Sequence, residues 1–147
     1  MTWRSALLYV GALAVCASGC AAPPNAPAHA HRYEACGVCF ESSAALTPVR
    51  GLLVDSCAFQ FRGEGIVVGG EHSGFAGEPD EGSRDARGVV RLRTKSADSG
   101  NPVVGIWIPE GDGGPPLYLS VEYAKPAQAR VADGIVSSTR RCGTPPM

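Results

Sequence analysis

Four nitrogen and sulfur donors fall within eleven residues early in this chain: His29, His31, Cys36 and Cys39. Thiolates and imidazoles are ligands for zinc and copper, so the cluster is a candidate site for either metal. A closed structural zinc site sets its ligands on ordered hairpins or helix starts, whereas these histidines lie in an Ala/Pro stretch. The metal chemistry expected of them is transient capture. The Cys36-Gly37-Val38-Cys39 spacing also suits thiol–disulfide exchange, provided the first thiolate caps a helix in a thioredoxin-like βαβ unit. Glu41 to Leu46 offers a short helix ending at Thr47-Pro48, but no strand leads into the pair and no parallel βαβ pattern follows. Haem attachment through Cys-x-x-Cys-His is excluded, because Phe40 occupies the histidine position.

The structural chemistry of the same residues is simpler. Cys36, Cys39, Cys57 and Cys142 are candidates for two disulfides, with three possible pairings. Joining Cys36 or Cys39 to Cys142 would close a loop of about a hundred residues, worth about 4–5 kcal/mol in the chain-entropy model. Structural staples are therefore the expectation, with metal handling or thiol exchange through His29, His31, Cys36 and Cys39 as the alternative.

Other templates are thinner. His72-Ser73-Gly74 places a base beside a nucleophile in sequence, but adjacency is not triad geometry and no Gly-x-Ser-x-Gly elbow is present. Glu78, Asp80, Glu81 and Asp85 are acidic without the spacing of a calcium-binding EF-hand loop, and read as a solvated surface. Trp107, Tyr118 and Tyr123 are candidates to line a ligand face, although aromatics on a strand parity more often fill a core. No convergent catalytic set emerges, so a non-enzymatic domain is expected, without a cofactor.

The leader carries the most specific signal. Arg4 supplies a positive start, and Ala6 to Ala17 form an uncharged apolar run. That run is shorter than the roughly 20 residues a membrane span needs and matches the length of a signal-peptide core. Ala17-Ser18-Gly19-Cys20 then resembles the lipobox of bacterial lipoproteins, with Ser18 and Gly19 fitting and Ala17 standing where Leu or Val is usual. Leu13-Ala14-Val15-Cys16 has the better first residue, but Val15 fits poorly before a cysteine, and cleavage there would leave Cys20 as an odd exported thiol. The resemblance implies cleavage before Cys20 and a diacylglyceryl thioether on it, with an acyl chain of palmitate type on the new amine. It also implies a bacterial cell-envelope protein held to a membrane through its lipid. Ala21 and Ala22 rather than aspartate follow Cys20, which favours the outer membrane under the enterobacterial sorting rule. The alternative is a secreted soluble protein, cut after Ala22 or Ala30.

These readings divide the chain into a signal peptide at 1–19, a lipid-anchored tether at 20–32 and a single β-rich domain at 33–147. Ala21 to Arg32 is rich in Pro and Ala, cannot make a core, and reaches roughly 3.1 Å per residue when extended. The formal net charge is −1 with scattered Lys and Arg, so no basic surface exists for nucleic acid. The expected partners are the membrane itself and an envelope protein or a small ligand.

With 19 Gly, 12 Pro and 7% aromatic residues, the composition favours turns and short strands. Arg50 to Phe61 reads as a strand, and Gly63 suggests a turn into Gly65–Gly69. Residues 69 to 88 read as a long exposed loop, of the kind that is functional or disordered. Gly88–Thr94, Val103–Ile108 and Leu117–Tyr123 alternate as strands, with Val103–Ile108 expected at the centre. Ala129–Ser138 is expected as a last strand through Val131, Ile135 and Val136. The fold class is therefore mostly β, a small antiparallel β-sandwich or barrel.

Overall fold

The computed structural model describes residues 30–50, 57–111 and 113–144. Cys16, Cys20 and His29 lie outside them. The chain forms β1 (His31–Ala35), β2 (Val38–Ser42), β3 (Thr47–Pro48), β4 (Ala58–Gly63), β5 (Ile66–His72), β6 (Ser83–Arg84), β7 (Val90–Lys95), β8 (Pro102–Ile108), β9 (Leu117–Tyr123), α1 (Ala129–Ser138) and β10 (Arg140–Arg141). Seven strands make one antiparallel sheet in the order β3-β4-β5-β9-β8-β7-β6, and three make another in the order β1-β2-β10. The seven-stranded sheet ends in the short strands β3 and β6 and does not close, so the architecture is a sandwich and not a barrel. Among the described residues, no helix is long and apolar enough to cross a membrane.

Alternation explains which face is inside. Leu117, Leu119, Val121 and Tyr123 on β9 are buried, and their neighbours across the sheet include Ile106 and Val104 on β8 and Val68 and Ile66 on β5. Phe59 and Phe61 extend this face along β4. The second layer is composite: β2 contributes Val38 and Phe40, and α1 contributes Ala132, Ile135 and Val136. Phe40, Phe61 and Tyr33 meet ring to ring at 5.3–5.4 Å between centroids, which ties the small sheet to the large one. Truncating a fully buried leucine such as Leu119 in this layer is worth about 2–5 kcal/mol.

Several expected elements differ. Ala129–Ser138 is a helix, because its buried residues recur at the helical spacing of 132, 135 and 136 and Pro126 opens the preceding 3-10 turn. Lys125 N–H donates to Gln128 Oε1 at 2.9 Å, which satisfies a donor at the entry. The short helix expected at Glu41 to Leu46 is absent. Glu41 and Ser42 belong to β2, Ser42 Oγ accepts from Ala44 N–H at 3.1 Å, and Leu46 N–H donates to the Tyr33 hydroxyl at 2.7 Å. The first long strand is β4 at Ala58–Gly63, and its hairpin turn is Glu64-Gly65 rather than Gly63. The central strand of the seven is β9, with β8 beside it. His31 and Arg32, assigned by composition to the tether, already pair with β2.

The interval read as one long loop is shorter and more ordered. β5 continues to His72, β6 occupies Ser83–Arg84, and Ala76 between them is buried. This segment lies against the face of the seven-stranded sheet that points away from the core.

Candidate functional site

Two regions bring together the residues singled out by the sequence. The first is a cross-linked corner. Cys36-Gly37 forms the two-residue turn between β1 and β2, with φ of 53° and 73°. A non-glycine residue in this region is strained, by about 1 kcal/mol or more, and is held there by its surroundings. Cys36 is paired with Cys57 and Cys39 with Cys142, at Cα–Cα distances of 5.6 and 5.0 Å. Each member of the Cys-x-x-Cys pair thus has a distant partner. Cys142 N–H donates to Gly37 O at 2.7 Å, which ties the chain end to the same turn.

His72, the last residue of β5, turns its ring into this corner. Its Nδ1 lies 2.7 Å from Cys36 O, and since a carbonyl only accepts, Nδ1 carries the proton. Its Nε2 is buried without a hydrogen-bond partner. Arg141 closes the other side: Nη2 donates to Pro109 O at 2.8 Å, Pro115 O at 2.7 Å and Gly114 O at 3.3 Å. Burial pushes its guanidinium below the usual arginine value. The 109–115 turn can approach only because Gly113 and Gly114 lack side chains. A Cβ at Gly113 would stand 2.6 Å from Arg141 Cδ, and Gly114 has φ of 119°.

These positions decide where the candidate chemistry lies. The Sγ atoms of Cys36 and Cys39 are committed to separate disulfides. His31 pairs with Ser42 in the β1–β2 register, three residues beyond Cys39 and about 10 Å along an extended strand. The structure therefore does not gather His31, Cys36 and Cys39 at one point. Among the described residues, the one group with metal-ligand proximity is Glu34, Cys39 and Cys142, whose two sulfurs are bonded to each other. His72 and Ser73 face different partners: Ser73 Oγ donates to Glu71 Oε1 at 2.6 Å, so no Ser–His hydrogen bond forms.

The second region is a cleft on the outer face of the seven-stranded sheet, under residues 73–84. The segment is fastened at both ends over Trp107. Trp107 Nε1–H donates to Ala76 O at 2.9 Å, and the Arg84 guanidinium lies 6.0 Å from the indole centroid. Trp107 is only 8% exposed as a result. The first turn is set locally: Ser73 Oγ, besides reaching Glu71, accepts from Phe75 N–H at 3.1 Å, and Ala76 N–H donates to Ser73 O at 3.1 Å. This rigid turn holds Phe75 81% exposed, the one large hydrophobic so placed among the described residues. At the far end, Gly82 has φ of 138°, and a Cβ there would stand 2.7 Å from Arg91 O, so only glycine lets β6 approach β7.

The cleft left beneath has a volume of about 480 Å³. Leu92 and Ala76 give it apolar surface, Tyr118 an aromatic one, and Glu71, Asp80 and Glu81 its carboxylates. Glu71 and Tyr118 are direct cross-strand neighbours on β5 and β9. The nearby arginines are all paired elsewhere: Arg84 with Glu78, Arg87 and Arg91 with Asp85 at 3.2 and 3.7 Å, and Arg93 with Asp133 at 2.8 Å. Of the four acidic residues weighed as a calcium loop, Glu78 and Asp85 are therefore engaged by arginine, while Asp80 and Glu81 are left to the cleft. A second cleft of about 550 Å³, between β7 and α1, has its charged lining, Arg91, Arg93 and Asp133, already in ion pairs.

Tyr118 thus lines the cleft, Trp107 anchors its roof, and Tyr123 belongs to the core on the opposite face. Sequence reasoning missed Glu71, which the β5–β9 register alone brings beside Tyr118. No protein-family model, curated protein or solved structure matches the chain.

Proposed function

We propose that the protein is a lipid-anchored component of a bacterial cell envelope, in which a disulfide-stapled β domain binds a ligand without transforming it. The observation that carries the binding role is the cleft of about 480 Å³ under residues 73–84, roofed by a segment pinned to Trp107. Its size falls within the roughly 300–1,000 Å³ typical of small-molecule sites, and its lining sets apolar surface from Leu92 and Ala76 beside the polar and charged side chains of Glu71, Asp80, Glu81, Thr94 and Tyr118. The anchoring role is supported by the leader, in which Cys20 receives the lipid and residues 21–30 form the tether. The two disulfides support export, since such bonds persist in oxidising compartments. On this reading the ligand is a small molecule or a side chain of an envelope protein, the outer membrane is the favoured location, and no cofactor takes part.

The anchoring role is tested by fractionating cells that express the protein or its Cys20→Ser variant. The parent is expected in the membrane fraction, released by detergent and not by high salt. The variant is expected as uncleaved precursor or soluble protein. A parent recovered as soluble protein, with an N-terminus beyond Cys20, contradicts this reading.

A further inference from the structure

We infer that the cleft under residues 73–84 takes an organic cation, a primary amine or guanidinium carried on a short apolar stem. This rests on the binding role proposed above and names its ligand class. The cavity supplies the frame. Leu92 and Ala76 offer apolar surface for a short stem, and Tyr118 lines the cavity together with its direct cross-strand neighbour Glu71. An aromatic next to a carboxylate is the arrangement that attracts a desolvated cation through both ring and charge.

Charge decides the sign of the ligand. Glu71, Asp80 and Glu81 line the cleft, and none of them has an ion-pair partner among the described residues. The one cation of the lining, Arg93, stands on the alternate parity of β7 and is bound to Asp133 of α1 on the other side of the sheet. Arg84 and Arg91, which flank the segment, are neutralised by Glu78 and Asp85. The local cations are thus consumed by carboxylates that do not face the cavity, and the carboxylates that do face it are left for a ligand. Glu71 is further oriented by the Ser73 hydroxyl at 2.6 Å. An anionic ligand would meet three like charges, and the one cation of the lining, Arg93, is already held by Asp133.

The test uses the mature protein in nonionic detergent and three probes with one body and different heads: pentylamine, 1-pentanol and pentanoate. Binding is read from backbone and side-chain NMR shifts at Leu92, Tyr118 and residues 76–82. Pentylamine is expected to bind with a salt-sensitive affinity, and the Asp80→Asn/Glu81→Gln double variant to weaken it about tenfold. Glu71→Gln, which keeps an acceptor for Ser73, is expected to weaken it further. Nα-acetyl-lysine amide distinguishes the source of the cation: binding equal to pentylamine points to a polypeptide side chain, and its exclusion to a free amine. Equal or tighter binding of pentanol or pentanoate in the cleft overturns the cation and leaves the binding role standing. Absence of any shift with all four probes overturns both.

Discussion

The cross-linked corner and the cleft sit at the two sides of the same β5–β9 strand pair, and they dispose of their polar groups in opposite ways. At the corner, His72 Nδ1 and Arg141 Nη2 bond to main-chain carbonyls of Cys36, Pro109, Gly114 and Pro115, His72 Nε2 and Arg141 Nε are buried without a partner, and all four described cysteines are consumed in pairs. At the cleft, three carboxylates and a tyrosine ring stand toward open space, while the neighbouring arginines are held away by other partners. A region cross-linked by two disulfides and tied by side-chain bonds to its own main chain is built for stability. A region that leaves ionised groups unpaired around a cavity gains nothing in stability from them, and their placement is understandable through a ligand.

Unequal responses to substitution follow from this contrast. The largest effect is expected at the corner. Replacing Cys39 and Cys142 together by alanine opens a loop spanning 103 residues and should lower the unfolding free energy by about 4–5 kcal/mol. Replacing Cys36 and Cys57, which span 21 residues, should lower it by about 3 kcal/mol. Urea denaturation of the mature protein reads both, and equal losses would mean that loop closure is not the source of the stabilisation. Against a typical total of about 5–15 kcal/mol, the first pair alone decides whether the domain stays folded on warming.

A smaller and local effect is expected at the cleft roof. Trp107→Phe keeps the aromatic body and removes the bond to Ala76 O, a loss of about 1 kcal/mol. Hydrogen exchange should quicken in residues 73–84 and stay unchanged at the corner. Quickening across the whole seven-stranded sheet would show that the segment is part of the core and not a separately fastened roof.

Acid should act on the same side of the molecule. Burial pushes the Asp85 carboxyl up, but hydrogen bonds from the Arg87 and Val89 N–H groups and the Arg87 guanidinium outweigh it and hold the group below its ordinary value. Hydrogen bonds from Ser99 and Asn101 hold Glu122 low as well. A carboxyl depressed on folding contributes stability that is present above its unfolded value of about 4 and is lost as the pH falls through the folded value. Unfolding midpoints should therefore decline below about pH 4, and Asp85→Asn should flatten part of that decline. An unchanged acid profile in Asp85→Asn would remove this carboxylate from the explanation.

The smallest effect on stability is expected from the double variant Asp80→Asn/Glu81→Gln, below about 0.5 kcal/mol, since both residues are exposed and have no ion-pair partner among the described residues. A loss above about 1 kcal/mol would mean that these carboxylates support the fold and would weaken their assignment to a ligand.

The strands that alternate strictly were legible in the sequence. Leu117 to Tyr123 shows which residues face the core, because one face is apolar and the other polar. Val90 to Thr94 alternates as clearly, but its apolar residues Val90 and Leu92 share the outer face with Trp107 and Tyr118, so the pattern shows the strand and not which layer covers it. The helix at Ala129–Ser138 was not, since Val131, Ile135 and Val136 are β-branched residues that suit a strand equally well. The spacing of Ala132, Ile135 and Val136, after Pro126, was the available sign. Glu41 to Leu46 failed as a helix for a tertiary reason, because its polar groups are drawn off by Ser42 and by the Tyr33 hydroxyl. The cysteine pairing was limited to three possibilities, and in the folded chain the β1–β2 hairpin, with Cys36 in its turn and Cys39 on β2, is joined at Cys36 to Cys57 and at Cys39 to Cys142. The cleft was the least legible feature. Glu71 meets Tyr118 only through strand register, and Asp80 and Glu81 arrive only because a tryptophan thirty-one residues from Ala76 pins the segment between them.

The most direct test of the account is the intact mass, under non-denaturing conditions, of protein extracted from host membranes in mild detergent. The account predicts a chain that begins at Cys20, carries the added acyl mass, lacks four hydrogens for its two disulfides, and holds no metal. A chain beginning after Ala22 or Ala30 without acyl mass would contradict the anchor, and a chain carrying zinc or copper with Cys36 and Cys39 unoxidised would contradict the stapled domain.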